Sequence, residues 1–376
     1  MKPVEKILLD LVAIPTVSAQ SNEPLIDYAQ TFFAPNVWAF RRYPYRDSAG
    51  TLKVNLVART RRPPRARPAL ALVCHTDTVP YEASWREAVK PVLRRGRIYG
   101  RGSSDVKGFL ACILSAVSAF DDASLAAPLE VALTAEEEIG CVGAKRLAAA
   151  KAVRAPRLIV GEPTRLTPIY VGKGYGLAEI VVRGREAHSA FPAAGRSAIF
   201  DAARVLASIE RAAKRLERPR HTAFDPPHAT VNVGLIRGGT AKNIIPGECR
   251  ITVEWRPVPG EPPDRALSLI EEELNRLRRR VPALDAEIHP LRLDPPFEPS
   301  QQTELRDLLS RLGGHAPSTV PFGAEAAHLR PSGGEAVVFG PGDMTTAHRT
   351  GEYVPVAQLR ACVRHLQAAV AHFCKG

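Results

Sequence analysis

Val4, Ile7, Leu8, Leu11 and Val12 recur at helical spacing ahead of Pro15, which predicts an amphipathic helix at the start of the chain. Short apolar runs punctuated by turn residues follow, at Val54 to Ala58, Ala69 to Cys74 and Ile98-Tyr99. Val106 to Phe120 is long and apolar enough for a buried helix. Leu129 to Thr134 reads as a strand, Gly143 to Ala152 as a helix, and Arg157 to Val160 as another strand. Strands alternating with helices predict an α/β layered domain with a largely parallel sheet.

After Gly172 the rhythm changes. Tyr175 to Arg183 predicts a strand, Arg196 to Leu216 a long helix, and His228 to Arg237 a half-buried strand alternating Val231, Val233 and Leu235 with polar or small positions. Cys249 to Trp255 is its expected antiparallel neighbour, followed by a helix over Pro262 to Arg279 and a strand over Ala286 to Leu293. That β-α-β-β-α-β order is the ferredoxin-like arrangement. It predicts an inserted α+β domain at 173–293 within a split first domain, 1–172 and 294–376. The first domain resumes with helix Gln302 to Leu312, strand Ala336 to Phe339 and helix Val356 to Phe373.

Composition narrows the class. A chain of 376 residues with 45% hydrophobic and 24% charged residues is neither disordered, collagen-like nor a small disulfide scaffold. None of its six cysteines forms a CxxC pair, so reduced, buried thiols are expected. The N-terminus is interrupted by Glu5 and Asp10, which does not suit a secretory signal, and no apolar run approaches the ~20 residues of a membrane span. A soluble, cytoplasmic protein is the expectation. The net charge of +12 includes one dense patch, Arg59 to Arg67, which Pro63, Pro64 and Pro68 make a loop. With aromatics at only 6% and no recognisable module, that patch predicts a solvated Arg-rich surface and no nucleic-acid partner.

The chemistry-bearing residues follow the apolar runs. Ala71-Leu72-Val73-Cys74 leads directly into His75-Thr76-Asp77, at the strand edge where open α/β sheets place their sites. A carboxylate near a ligating His serves its second nitrogen; taken alone, the pair is better read as a hydrogen-bonded loop. Gly100-Arg101-Gly102-Ser103-Ser104-Asp105 superficially resembles a dinucleotide loop, but a carboxylate opening the helix would repel a pyrophosphate. Asp105 is then either an N-cap or a side chain presented beside the strand ends. Leu129 to Thr134 ends in Glu136-Glu137-Glu138, readable as an exposed acidic turn or as a cation site with an adjacent base. Val160 is followed by Gly161-Glu162, and Phe339 leads through Asp343 to His348. Four apolar runs ending in His or carboxylate converge at one sheet edge. Oxygen and imidazole ligands without thiolates suit zinc, cobalt or manganese in a hydrolytic site.

HTD, GRGSSDVKG, AEEEIG, GEPT, REAHSAFP and AHRTGEY occur in an order that resembles the acetylornithine deacetylase, succinyl-diaminopimelate desuccinylase and aminoacylase family of dinuclear zinc metallohydrolases. The resemblance covers nearly the whole chain; Val106 departs from the Met many relatives carry. It implies a zinc-exopeptidase-like catalytic domain with two divalent metals bridged by Asp105. His75 and Glu162 would complete one metal site, Glu138 and His348 the other. Glu137 would be the general base acting on a metal-bridging hydroxide, and Asp77 the partner that orients His75; Glu136 is not expected to be a ligand. The insert would be a dimerisation domain, so a homodimer is expected, with His188 reaching the partner's site to stabilise the oxyanion; without the resemblance, His188 reads as a turn residue.

Asn243 and Arg256 resemble family positions that contact a substrate carboxylate, a task suited to Arg. Phe322-Gly323-Ala324-Glu325 looks like the acetylornithine deacetylase branch, and Glu325 suits a substrate ammonium. The expected activity is removal of an N-acyl, foremost acetyl, group from a small amino acid such as ornithine. A desuccinylase, carboxypeptidase or dipeptidase of the same family is the alternative. A metal-binding relative without catalysis is the alternative of a different class.

Overall fold

The computed structural model describes residues 3–63, 66–118, 124–217, 221–330 and 333–375. The chain divides into two compact units, one of Met1–Tyr170, Pro299–Ser318 and Ala324–Gly376, the other of Val171–Glu298 and Thr319–Gly323.

The first unit is built on an α/β sheet with a largely parallel centre. Strand Leu70–His75 lies between Leu129–Thr134 and Arg157–Val160, parallel to both, and Glu335–Val338 adds in parallel beside Arg157–Val160. Leu52–Thr60 and Trp38–Arg46 extend it antiparallel on one side. Every residue of Leu70–His75 and Leu129–Thr134 is buried, which explains why these runs are apolar without alternation. Glu130 is the exception that proves costly only if unpaired: Arg59 binds one oxygen, and the amides of Arg154 and Ala155 donate to the other at 2.8 and 2.7 Å.

Helix Lys107–Val117 is buried on all sides, packed against Val4–Val12 and Val356–Cys374. The last two residues of its expected range, Ala119 and Phe120, lie outside the described residues. A Cβ at Gly161 would fall 2.1 Å from the Phe109 ring, so glycine alone lets the strand end meet this helix so closely. Pro64 and Arg65 of the basic patch also lie outside the described residues, while Arg59 is spent on Glu130. All six cysteines are buried thiols outside any disulfide. Among the described residues no helix is long and apolar enough to cross a membrane.

Among the elements not expected from the pattern are helix Glu23–Gln30 and strand Trp38–Arg46. The strand carries Arg41, Arg42, Pro44 and Arg46, and these suit only an edge, where one flank needs no partner.

In the second unit the sheet order is Thr230–Gly238, Glu248–Arg256, Tyr175–Arg183, Asp285–Asp294, all antiparallel. Helices Ala198–Leu216 and Arg265–Arg280 pack on each other and share one core with the sheet. The first helix starts two residues later than its expected Arg196 because the Ser197 hydroxyl caps it, accepting from the Phe200 amide at 3.4 Å.

Candidate metal centre

The parallel strands of the first unit end side by side, and their terminal residues meet. His75 ends its strand with 1% of its surface exposed. Its Nε2 lies 3.2 Å from Asp105 Oδ1, and its Nδ1 lies 3.1 Å from the Asp77 carbonyl oxygen. The other Asp105 oxygen, Oδ2, lies 3.0 Å from His348 Nε2, which is also 3.1 Å from Glu138 Oε2. Asp105 therefore faces one imidazole with each oxygen. It does not cap the following helix, whose N-cap is Val106 with no side-chain cap bond.

Ligand atoms of His75, Asp105 and Glu138 all lie within 4.8 Å of one another, as do those of His75, Glu137 and Glu162. The three consecutive glutamates separate cleanly. Glu136, with φ of 60°, turns away and accepts from the Tyr45 hydroxyl at 2.8 Å. Glu137 and Glu138 stay on the side of the imidazoles. Asp77 holds that loop: its carboxylate accepts from the amides of Glu137 and Glu138 at 3.0 and 3.4 Å and from the Ser18 hydroxyl at 2.6 Å. Toward His75 it offers chiefly its backbone carbonyl, the carboxylate being 3.7 Å from Nδ1. Sequence reasoning placed Asp77 behind His75 and missed its grip on the glutamate loop, which only the fold brings near. Glu325 is buried at 1% exposure with neither oxygen hydrogen-bonded.

Crowding shapes the charges. Burial pushes the carboxyls of Glu137 and Glu162 above their ordinary range, with Asp105 adding repulsion to both. Burial and Asp105 push Glu138 up to about 8, and burial pushes Glu325 up to about 8. Hydrogen bonds to Asp105 and Glu138 raise His348 to about 10. Burial alone would lower His75, but Asp105, Glu137 and Asp77 raise it well above its ordinary value. Asp105 is depressed despite its burial, because both imidazoles bond to it. So many carboxylates around two imidazoles form a donor set short of positive charge. Divalent cations fit it, and the absence of thiolates from the set favours cations that accept oxygen and nitrogen.

That imbalance has a measurable consequence for the metal-free protein. An acid whose pKa is raised by folding supports the fold while protonated, so Glu137, Glu138 and Glu162 favour folding below about 4.5 and oppose it increasingly toward pH 8. Raised imidazoles contribute stability below 6.5 that is lost as pH climbs toward 10. Both act in one sense. The gain in Tm on adding a divalent metal should therefore grow steadily between about pH 5 and pH 8. Scanning calorimetry with metal and with chelator checks this; a gain that shrinks with pH would refute the charge accounting.

The second unit carries the remaining residues. His188 lies in a two-stranded ribbon, Ala187–His188 with Ile244–Ile245, where it is exposed and its Nδ1 accepts from the Ala190 amide at 3.1 Å. Asn243 adjoins the same ribbon, its carbonyl accepting from Ser189 N at 3.0 Å. Arg256 does not join them. It stands at the far end of Glu248–Arg256, roughly 25 Å along the strand, with its guanidinium 4.3 Å from the Tyr175 ring centroid.

Carboxylates and two imidazoles gathered where the strands of a parallel sheet end, with a carboxylate to spare beside them, define a metal-dependent hydrolase. The chain belongs to peptidase family M20/M25/M40, whose family model matches residues 71–372. It is 50% identical over 370 residues to an acetylornithine deacetylase of Myxococcus xanthus, covering 98% of this chain and 97% of that protein. Among solved structures, aminopeptidase PepT of Bacillus cereus superposes with a TM-score of 0.75 at 20% identity, covering 98% of this chain and 97% of its own. The YXEP protein of Bacillus subtilis, described as a dinuclear metal binding peptidase, superposes with a TM-score of 0.67 at 14% identity over 98% and 97%.

Proposed function

We propose that this protein is an acetylornithine deacetylase that cleaves the amide of N-acetylornithine with two divalent metal ions. The observation that carries the activity is the pair of imidazoles facing the two oxygens of one carboxylate, Asp105, with the Glu137 carboxyl alongside. The near full-length likeness to the Myxococcus xanthus enzyme supports the substrate.

Asp105 would bridge the ions, His75 and Glu162 completing one site and Glu138 and His348 the other, with zinc as the expected metal and cobalt or manganese also compatible. Bound there, the ions would polarise the amide carbonyl and make a water acidic near neutral pH. Glu137 accepts the proton of the attacking water on its carboxylate and returns it to the departing amine nitrogen. Asp77 keeps that carboxyl in place through the loop amides. Glu325, buried and without a hydrogen-bonded oxygen, is a group that a substrate ammonium would neutralise. Asn243 is a candidate for the substrate carboxylate and His188, on the same ribbon, for a donor to the developing oxyanion from a second subunit. Arg256, at the far end of its strand from both, could share that carboxylate only from the other subunit. The homodimer this requires is supported by the edge strand Thr230–Gly238, which leaves Leu235 and Ile236 exposed, and by exposed Ile199 and Phe200 on the adjacent helix. A cytoplasmic setting agrees with six buried thiols that form no disulfide.

A hydrolysis panel of N-acetyl, N-succinyl and N-formyl amino acids and dipeptides, with metal added, tests the reading. N-acetylornithine is expected to give the highest kcat/KM. A preference for a succinyl substrate would move the protein to the desuccinylase branch.

A further inference from the structure

We propose that Glu352, paired with Arg101, is a positioning residue that sets the backbone of Asp105 and locks the His348 loop against it. The inference rests on the reading of Asp105 and His348 as metal ligands.

Glu352 has no exposed surface. One carboxylate oxygen, Oε1, accepts from the amides of Ser104 and Asp105 at 2.9 and 3.1 Å. The other, Oε2, accepts from Arg101 Nη1 at 2.7 Å. Its backbone carbonyl accepts from Gly100 N at 3.1 Å. The loop from Gly100 to Asp105 is thus wrapped around a single side chain. The strand Tyr353–Pro355 delivers that side chain, pairing antiparallel with Arg97–Tyr99 so that Tyr353 stands opposite Tyr99. Arg101 is itself buried, its guanidinium 5.2 Å from the Trp85 ring centroid, so it has no water to turn to. A buried carboxylate with two amide donors and a guanidinium is fully engaged, and removing it leaves a buried cation and two open amides.

The other end of the His348 loop is fastened to the same place. The amide of Asp343 donates to Ser104 Oγ at 2.9 Å. Gly342 has φ of +94°, and a Cβ there would fall 2.2 Å from Ser104 Oγ, so the approach requires glycine. The segment carrying His348 is therefore anchored by Asp343 at its start and Glu352 at its close. Both anchors hold the residues that immediately precede Asp105 or Asp105 itself. His348, with φ of 57°, then meets Asp105 at 3.0 Å. Ligands from two distant stretches must be placed to a fraction of an ångström for a shared pair of ions, and groups that hold ligands commonly alter affinity 10–100-fold when lost.

The test measures zinc affinity by chelator competition in the full-length protein, alongside kcat, KM and the Tm of the metal-free form. Variants are Glu352→Ala, Glu352→Gln, Arg101→Lys and, as reference, Asp105→Ala. Glu352→Ala is expected to weaken zinc binding roughly 10–100-fold and to lower kcat with little change in KM. Glu352→Gln keeps an oxygen for both amides but loses the charge facing Arg101, so its affinity should fall between those of Glu352→Ala and the wild type. A Glu352→Ala protein that folds and binds zinc as the wild type does would overturn the proposal, even with a lower metal-free Tm. Should Glu352→Ala not fold, wild-type affinity in both Glu352→Gln and Arg101→Lys would overturn it equally. If Asp105→Ala retains wild-type zinc, the metal reading itself fails. If Asp105→Ala loses zinc while the Glu352 variants do not, only the positioning role fails.

Discussion

Glu137→Ala is expected to lower kcat on the amide substrate by at least 10²–10⁴, on the order of what a positioned general base contributes, while metal content stays near normal. The two effects separate because the loop does not depend on the Glu137 side chain. Its amide is held by Asp77 at 3.0 Å, and Asp77 also receives the Glu138 amide and the Ser18 hydroxyl. The truncated side chain gives up only a contact from Cys141 Sγ at 3.3 Å and a buried carboxyl pushed above its ordinary range. Steady-state kinetics with metal analysis of the same preparation read both quantities. Activity within a few-fold of wild type would remove Glu137 as the base. Loss of metal together with activity would make it a ligand instead, an outcome its proximity to His75 and Glu162 makes meaningful.

Asp105→Ala is expected to reach further, abolishing hydrolysis and reducing retained metal at both sites. Each Asp105 oxygen faces a different imidazole, so one truncation strips both candidate sites of a shared anion. The loss of affinity should exceed the roughly 10–100-fold typical of a group that merely supports a ligand. The remaining imidazoles also lose the partner that raises them, so His75 and His348 should titrate lower than in the wild-type metal-free protein. Metal per chain after dialysis against chelator, with histidine titration by NMR, checks both points. One equivalent retained at wild-type affinity would mean that Asp105 serves a single ion.

Much of the first unit was legible because fully buried parallel strands have to be apolar throughout. Leu70–His75, Leu129–Thr134 and Arg157–Val160 announce themselves, and each is followed within a few residues by His or carboxylate. Elements whose burial comes from elsewhere were not legible. Trp38–Arg46 survives as an edge strand in spite of its arginines and Pro44, since its single partner Leu52–Thr60 supplies the ladder. The small sheet formed by Val92–Arg94, Arg97–Tyr99 and Tyr353–Pro355 is assembled from three-residue pieces too short to carry a period, yet it seats Glu352.

The sequence by itself determined which donors are available and that His75, Glu137, Glu138 and Glu162 stand where an apolar strand stops. Local patterning suffices for that, because an apolar run reports a buried strand and its first polar residue reports the edge. It did not determine where the donors point. Glu136, Glu137 and Glu138 are chemically identical neighbours, and only the tertiary structure separates them, by a positive φ at Glu136, a hydroxyl from Tyr45 and amide bonds to Asp77. Nor could a pattern reveal that Glu352 closes on the amide of Asp105. Side-chain direction in a loop is set by partners distant in the chain, and those partners exist only once the strands have paired.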